Sequence, residues 1–276
     1  MILHLFRLSL SERNAPNLFE ENDTRFQLLE RIDYLFKWFG DAFSYEPRKG
    51  VFLRFIPTQI DDTVIAGIVA RQINEIKHSD EDDPFREIEG IEWETANLFL
   101  NVGDDEQVVG VEQNRKISAQ PRTLIQDLVT AINEVSKPGG YKIDVFPVHD
   151  GEEFWQAVNS YGGPITSLTF DLVVPNPPDT TSPTKEAMCA LQEKLKMRSV
   201  KETYGNQDGL DLHNDFVEDR EKYAAAGGGD VVAKSSNETV FSSKDSVKKI
   251  EVDDDFRASG TKKDGLADSM RDRLKR

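Results

Sequence analysis

Apolar and polar positions alternate along most of this chain in short runs, and the runs change period in a way that predicts strands and helices in turn. Residues 1–10, with Leu3, Leu5, Phe6, Leu8 and Leu10, read as a first strand. A helix is expected over about 24–39, because Phe26, Leu29, Ile32, Leu35, Phe36 and Phe39 recur at helical spacing and Gly40 follows them. Residues 51–57 and 62–74 are rich in β-branched and aromatic side chains, and Asp61-Asp62 between them suits a turn, so they predict an antiparallel hairpin. Residues 96–102 and 107–113 flank Gly103-Asp104-Asp105-Glu106 and predict a second one.

Longer crossovers follow. Pro121 fits the first turn of a helix carrying Leu124, Ile125, Leu128, Val129, Ile132 and Val135 on one face, closed by Pro138-Gly139-Gly140. A strand is expected at 141–148, then a short helix with Phe154, Trp155 and Val158, opened by Asp150 with Glu153 at capping-box spacing. Residues 165–174 read as a further strand ending in the stiff Pro175-Asn176-Pro177-Pro178. Beyond it the pattern predicts a helix at about 183–198, an irregular stretch at 199–212, a helix at about 214–226 stopped by Gly227-Gly228-Gly229, and a hairpin around Ser236-Asn237. From Lys244 onward 10 basic and 8 acidic residues alternate among few apolar ones. Such a segment buries too little to offset its ordering entropy, and 253–265 reads as a linker ahead of a marginal helix at about 264–275.

These elements predict an α+β protein with a mixed, mainly antiparallel sheet, packed helices and a flexible C-terminal tail. The expected organisation is an α+β body over 1–178 with a sub-boundary near 79–90, a helical and hairpin extension over 179–243, and a charged tail over 244–276.

Charge then singles out one block. The chain carries a formal net charge of −16, and residues 75–112 hold 13 acids against Lys77 and Arg86 alone. A local field of that sign repels phosphate backbones and attracts basic protein surfaces. Asp80, Glu81, Asp82 and Asp83 are therefore the candidate partner-binding residues, within an exposed acidic loop expected over 78–94. The N-terminus lacks the basic leader and cleavage pattern of a signal peptide, no apolar run is long enough to span a bilayer, and Cys189 is the only cysteine. A cytoplasmic protein that avoids membranes is the expectation.

Catalytic patterns are thin. His4, His78, His149 and His213 are scattered without zinc spacing, and neither phosphate-cradling glycine motif is present, so no metal, cofactor or catalytic residue is proposed from the sequence. Asp62, Glu75 and Lys77 imitate the acid and E-x-K set of divalent-metal nucleases. They lie along one strand, where a rise of about 3.3 Å per residue puts Asp62 and Glu75 roughly 40 Å apart. Residues 79–84 lack the glycine and the final glutamate of a calcium loop. Positive charge gathers at Lys194, Lys196, Arg198 and Lys201, where it stabilises a helix C-terminus, and at Arg115, Lys116 and Arg122 around a helix N-terminus. The latter three are the candidate nucleic-acid contacts.

The strand Ile165-Thr166-Ser167-Leu168-Thr169-Phe170 ending in Pro175-Asn176, the charged helices after it, the Gly-rich stop at 227–229 and the last hairpin together resemble proteins of prophages and bacterial defence islands. The resemblance spans about residues 90–243 and is to the RexA-type phage-exclusion proteins and the KwaB subunit of Kiwa. It implies DNA association without an obvious catalytic centre. The expected function is thus a non-enzymatic, phage-related interaction protein recognising protein, DNA or both, with a metal-dependent nuclease or an acidic nucleic-acid mimic as alternatives.

Overall fold

The computed structural model describes residues 1–13, 30–78, 87–103, 107–136, 140–174, 182–195, 197–253, 270, 273 and 274, with the backbone alone for 74–78 and 87–91. Two sheets organise these residues, and every described strand pairing is antiparallel. The α+β class expected from the pattern is what the chain forms.

The first sheet is built around β1 (Ile2–Glu12). One edge of β1 pairs with β6 (Val108–Glu112); β7 (Tyr141–Pro147) and β12 (Lys249–Glu251) also pair with it. From β6 the sheet continues through β5 (Glu87–Asn101), β4 (Val64–His78), β3 (Val51–Ile60) and β2 (Phe43–Arg48). Alternation along β1 serves two cores at once. Phe6, Leu8 and Leu10 join the core under α1 (Arg31–Phe39) and α2 (Pro121–Val135), while Leu3 and Leu5 join a smaller core on the opposite face. Of the apolar stripe expected on α2, Leu124, Ile125, Leu128, Val129 and Ile132 join the larger core, whereas Val135, at the last helical position, is 70 % exposed. For the first expected helix, residues 31–39 are helical and 24–29 lie outside the described residues.

The second sheet has the order β11-β10-β8-β9, from β8 (Ser167–Val173), β9 (Ser199–Gly205), β10 (Gly229–Ser235) and β11 (Glu238–Ser242). Its core gathers Phe154, Leu168, Phe170, Leu172, Tyr223, Val231 and Phe241, with α3 (Gly151–Ser160), α4 (Pro183–Leu195) and α5 (Asp215–Tyr223) supplying helical cover. Asp150 caps α3 by accepting from the Glu152 N–H at 3.0 Å. Because α3 and β8 belong with this sheet, the sheets divide the chain near residue 150, upstream of Pro175–Pro178, and β12 returns to the first sheet.

Three expectations need correction. The stretch 199–212 is not irregular throughout, since 199–205 forms β9 against β8. It is an edge strand with no fully buried residue, so its weak alternation of Val200, Glu202 and Tyr204 against exposed neighbours carried little signal. Of the expected cluster at a helix C-terminus, Lys194 lies in the last turn of α4, Lys196 lies outside the described residues, Lys201 lies on β9, and the Arg198 guanidinium donates to the Glu12 carbonyl at 2.8 Å. The tail from 244 is tied down in its described parts: 249–251 pair with β1, and Met270 and Leu274 are buried against Leu3, Leu5, Phe99 and Val108. The two anchors stand at i,i+4 spacing, and apart from Asp253, Met270, Arg273 and Leu274 the linker expected over 253–265 and the helix expected over 264–275 lie outside the described residues. No helix among the described residues is long and apolar enough to cross a membrane.

The two sheets meet where α5 runs into a π-turn, Ala224–Gly228. Gly227 there has φ +80°, and a Cβ on it would lie 2.5 Å from the Arg7 Cβ of β1. Arg7 donates to the Ala226 carbonyl at 3.4 Å, and the His149 N–H to that of Ala225 at 3.1 Å. Gly227→Ala combines left-handed strain with overpacking between the sheets and is expected to cost roughly 2–4 kcal/mol, read from the urea midpoint. An unchanged midpoint would mean that the sheets do not rely on this approach.

Candidate functional site

The longest pairing in the molecule is the ladder between β4 and β5, with 15 consecutive pairs from Val64↔Asn101 to His78↔Glu87. Neighbouring strands support only its first half. Pairing of β3 with β4 stops at Arg71, and pairing of β6 with β5 stops at Leu98. From Gln72↔Trp93 to His78↔Glu87 the two strands pair, among the described residues, only with each other. At about 3.4 Å per residue these seven pairs make a two-stranded ribbon of roughly 20 Å. The expected acidic loop over 78–94 is therefore mostly strand: 87–94 belong to β5, and alternating Ile88, Ile91 and Trp93 among the acids is compatible with that. Asp80, Glu81, Asp82 and Asp83 lie outside the described residues, in the segment that joins the two strands.

At the root of the ribbon a cleft of about 440 Å³ is lined by Glu46, Gly50, Phe52, Arg71, Gln72, Ile73 and Lys116. Phe52 is 43 % exposed, and Trp93, the register partner of the cleft's Gln72, is 46 % exposed. The Arg71 guanidinium donates to the carbonyls of Lys116 at 3.2 Å and Ile117 at 2.9 Å, which fixes the loop ahead of α2 against β4. Asn114 adds a bond to the Thr95 carbonyl at 3.0 Å, and the Lys116 ammonium pairs with Glu94. Beneath, burial first and the Asp127 carboxylate second push the Tyr45 hydroxyl far above its ordinary range, so it stays protonated. The surface thus combines two exposed aromatic rings, two cations held by the chain itself, and an acidic ribbon.

The three predicted nucleic-acid contacts do not act together. Arg115 is exposed and without a partner among the described residues, whereas Lys116 is paired with Glu94. Arg122 is largely buried and faces the second sheet, 3.8 Å from Asp230 Oδ2. That oxygen is also 3.5 Å from the Lys244 ammonium, and Ser243 Oγ donates to Asp230 Oδ1 at 3.3 Å. Arg122 is a structural tie across the junction. Asp62 sits in the turn between β3 and β4, and no cluster of three or more ligating side chains occurs among the described residues.

The junction also contains a pair that sequence spacing hides. His149 Nε2 lies 3.2 Å from Glu221 Oε1, both side chains almost wholly buried and 72 positions apart. His149 Nδ1 is buried without a partner among the described residues, the ring tilts against Phe241 at 5.6 Å, and Gly151 keeps the space beside the Glu221 carboxylate open. Removing one member leaves a polar group stranded in the interior. His149→Leu and Glu221→Leu are each expected to cost about 3–5 kcal/mol, with the double variant recovering part of it. A thermodynamic cycle from urea unfolding checks this, and strict additivity would contradict it.

Comparison with curated proteins and with solved structures finds no match. Residues 105–264 match the family described as Domain of unknown function (DUF4747). The matched stretch holds α2, the whole second sheet and every junction residue from Arg122 to Lys244, and it begins after the β4–β5 ladder ends. Since it covers more than half of the chain, this protein belongs to the DUF4747 family.

Proposed function

We propose that the chain is a non-enzymatic interaction protein that docks on a basic protein surface through the acidic β4–β5 ribbon, as a component of phage defence. The observation that carries this reading is the register: the ladder outruns the strands on either side of it by at least seven pairs, and a strand pair that among the described residues is paired only with itself has backbone edges on which a partner can dock. Residues 72–94 hold nine acids against Lys77 and Arg86, so the ribbon and its connection present mostly negative charge. Trp93 at the root offers the kind of exposed ring that anchors protein interfaces. The resemblance of 90–243 to phage-exclusion and Kiwa proteins supports the setting. Protein is favoured over DNA because Arg122 is engaged with Asp230 and Lys116 with Glu94, so that of the three expected contacts Arg115 alone has no ion pair among the described residues, beside a repulsive ribbon.

Fluorescence anisotropy with a labelled oligolysine tests the reading. The full chain is expected to bind it with a steep salt dependence, and lysine at Asp80, Glu81, Asp82 and Asp83 is expected to weaken binding at least about tenfold. A control chain with lysine at the exposed Asp41, Asp62, Glu153 and Asp208 carries the same net charge and is expected to bind like wild type. Equal losses in both variants would reduce the effect to overall charge and overturn the reading. So would tight binding of DNA that is abolished by Arg115→Ala and Lys116→Ala.

A further inference from the structure

The phase of the main chain along β4 follows from three bonds. The Asp61 N–H donates to the Val64 carbonyl at 2.9 Å and Thr58 Oγ1 to the Ala66 carbonyl at 3.2 Å, so even-numbered residues of β4 turn their main-chain groups toward β3. The Val102 N–H donates to the Thr63 carbonyl at 2.8 Å, which turns the odd-numbered ones toward β5. The β4–β5 ladder runs through its 15 pairs without a register shift, so this phase persists along the ribbon. Asn74 and Ile76 therefore aim their N–H and C=O groups at the outer edge, past Arg71, where pairing with β3 stops. Beyond that point the turn between Arg48 and Val51 leads the chain away into β2. The cleft of about 440 Å³ opens there, with Gln72, Ile73, Gly50 and Phe52 among its walls, and a Cβ on Gly50 would meet nothing within 4 Å. The β5 edge is closed further out. The Asn97 N–H donates to the Glu112 carboxylate at 2.9 Å, and Asn114 holds the Thr95 carbonyl at 3.0 Å.

From the phase, the open edge and the charge we infer that the β4 edge at Asn74 and Ile76 binds an extended, lysine- or arginine-rich segment of a partner protein as an added strand. This rests on the reading of the ribbon as the docking element and names how it docks. Main-chain donors and acceptors at a sheet edge are matched by another strand, which supplies affinity through the backbone. Charge selects which strand. Residues 72–78 and 87–94 hold five acids against Lys77, so a second copy of this ribbon is repelled and a basic segment is attracted. The added strand takes up the line that β3 leaves at Leu53, with the cleft at its end.

Two labelled probes separate strand addition from attraction between side chains: octalysine, and octalysine methylated on its backbone nitrogens, which keeps the charge and lacks main-chain donors. Anisotropy with the full chain is expected to show the methylated probe binding at least about tenfold more weakly. Equal binding of both overturns the inference and leaves the docking reading standing, whereas no binding of either defeats both. Asn74→Pro then tests the edge. Proline there removes an outward N–H, spares the ladder with β5 and leaves the net charge unchanged. This variant is expected to bind octalysine at least about fivefold more weakly than wild type and the methylated probe equally well. Unchanged octalysine binding overturns the assignment to the β4 edge. Where the variant fails to melt cooperatively, amide exchange resolved by residue in the wild-type chain decides. Slowing by octalysine at Asn74 and Ile76 supports the inference, and slowing at Ile91 and Trp93 without it overturns it.

Discussion

The fold depends on one ladder, the antiparallel pairing of β4 with β5. Its inner half places Ile65, Val69, Ala96, Leu98 and Leu100 in the main core, and Val64, Ala66 and Phe99 in the smaller core on the other face. Because neighbouring side chains alternate faces, a slip of one residue would send both sets to the wrong side, and burial on both faces therefore fixes the register. The same register then dictates where the outer half goes. Once the inner pairs are set, Gln72 to His78 and Glu87 to Trp93 extend past the ends of the flanking pairings. The docking element proposed here is thus a by-product of core packing: the cores set its direction and the sequence of the outer half sets its charge.

The second sheet is joined to the first by polar ties, several of them buried. His149 with Glu221, Asp230 with Arg122, Lys244 and Ser243, and the close approach of Gly227 to Arg7 all lie at the junction. Buried polar pairs of this kind add little net stability over an apolar replacement but are costly to break singly, which suits a junction that must dock in one orientation. All of these residues except Arg7 fall inside the DUF4747 match, whereas the ribbon lies ahead of it. The proposed docking element and the matched family stretch are therefore distinct parts of the chain, tied by β1 and the junction.

Much of the fold was legible in the sequence because periodicity reports burial. The hairpins at 51–74 and 96–113, the stripe of α2, the strand at 141–148 and the turn at Ser236 all appear near their expected positions. What escaped was whatever lacked a periodic run of apolar residues. Strand β9 is an edge without a buried residue, and the outer half of β5 reads as an acidic loop because its acids outnumber Ile88 and Ile91. Met270 and Leu274 are two apolar residues in a charged segment, too few to produce a periodic signal yet enough to fill one groove. The site was legible in charge and not in geometry. Lys116 and the acidic block stood out by composition, but Arg71, Phe52 and Trp93 meet only through strand register, and His149 finds Glu221 across 72 positions. No local spacing encodes such encounters.

Hydrogen exchange on the full chain, with and without a saturating oligolysine, tests the central claim most directly. Amides in the ribbon, 72–78 and 87–93, are expected to exchange faster in the free protein than those of 65–71 and 94–101, which have strand or loop neighbours on their outer edges. Adding the basic probe is expected to slow exchange in the ribbon and leave α2 and the second sheet unchanged. Protection that appears instead around Arg115 and Arg122, or on β8 to β11, would contradict the assignment of the ribbon as the docking element.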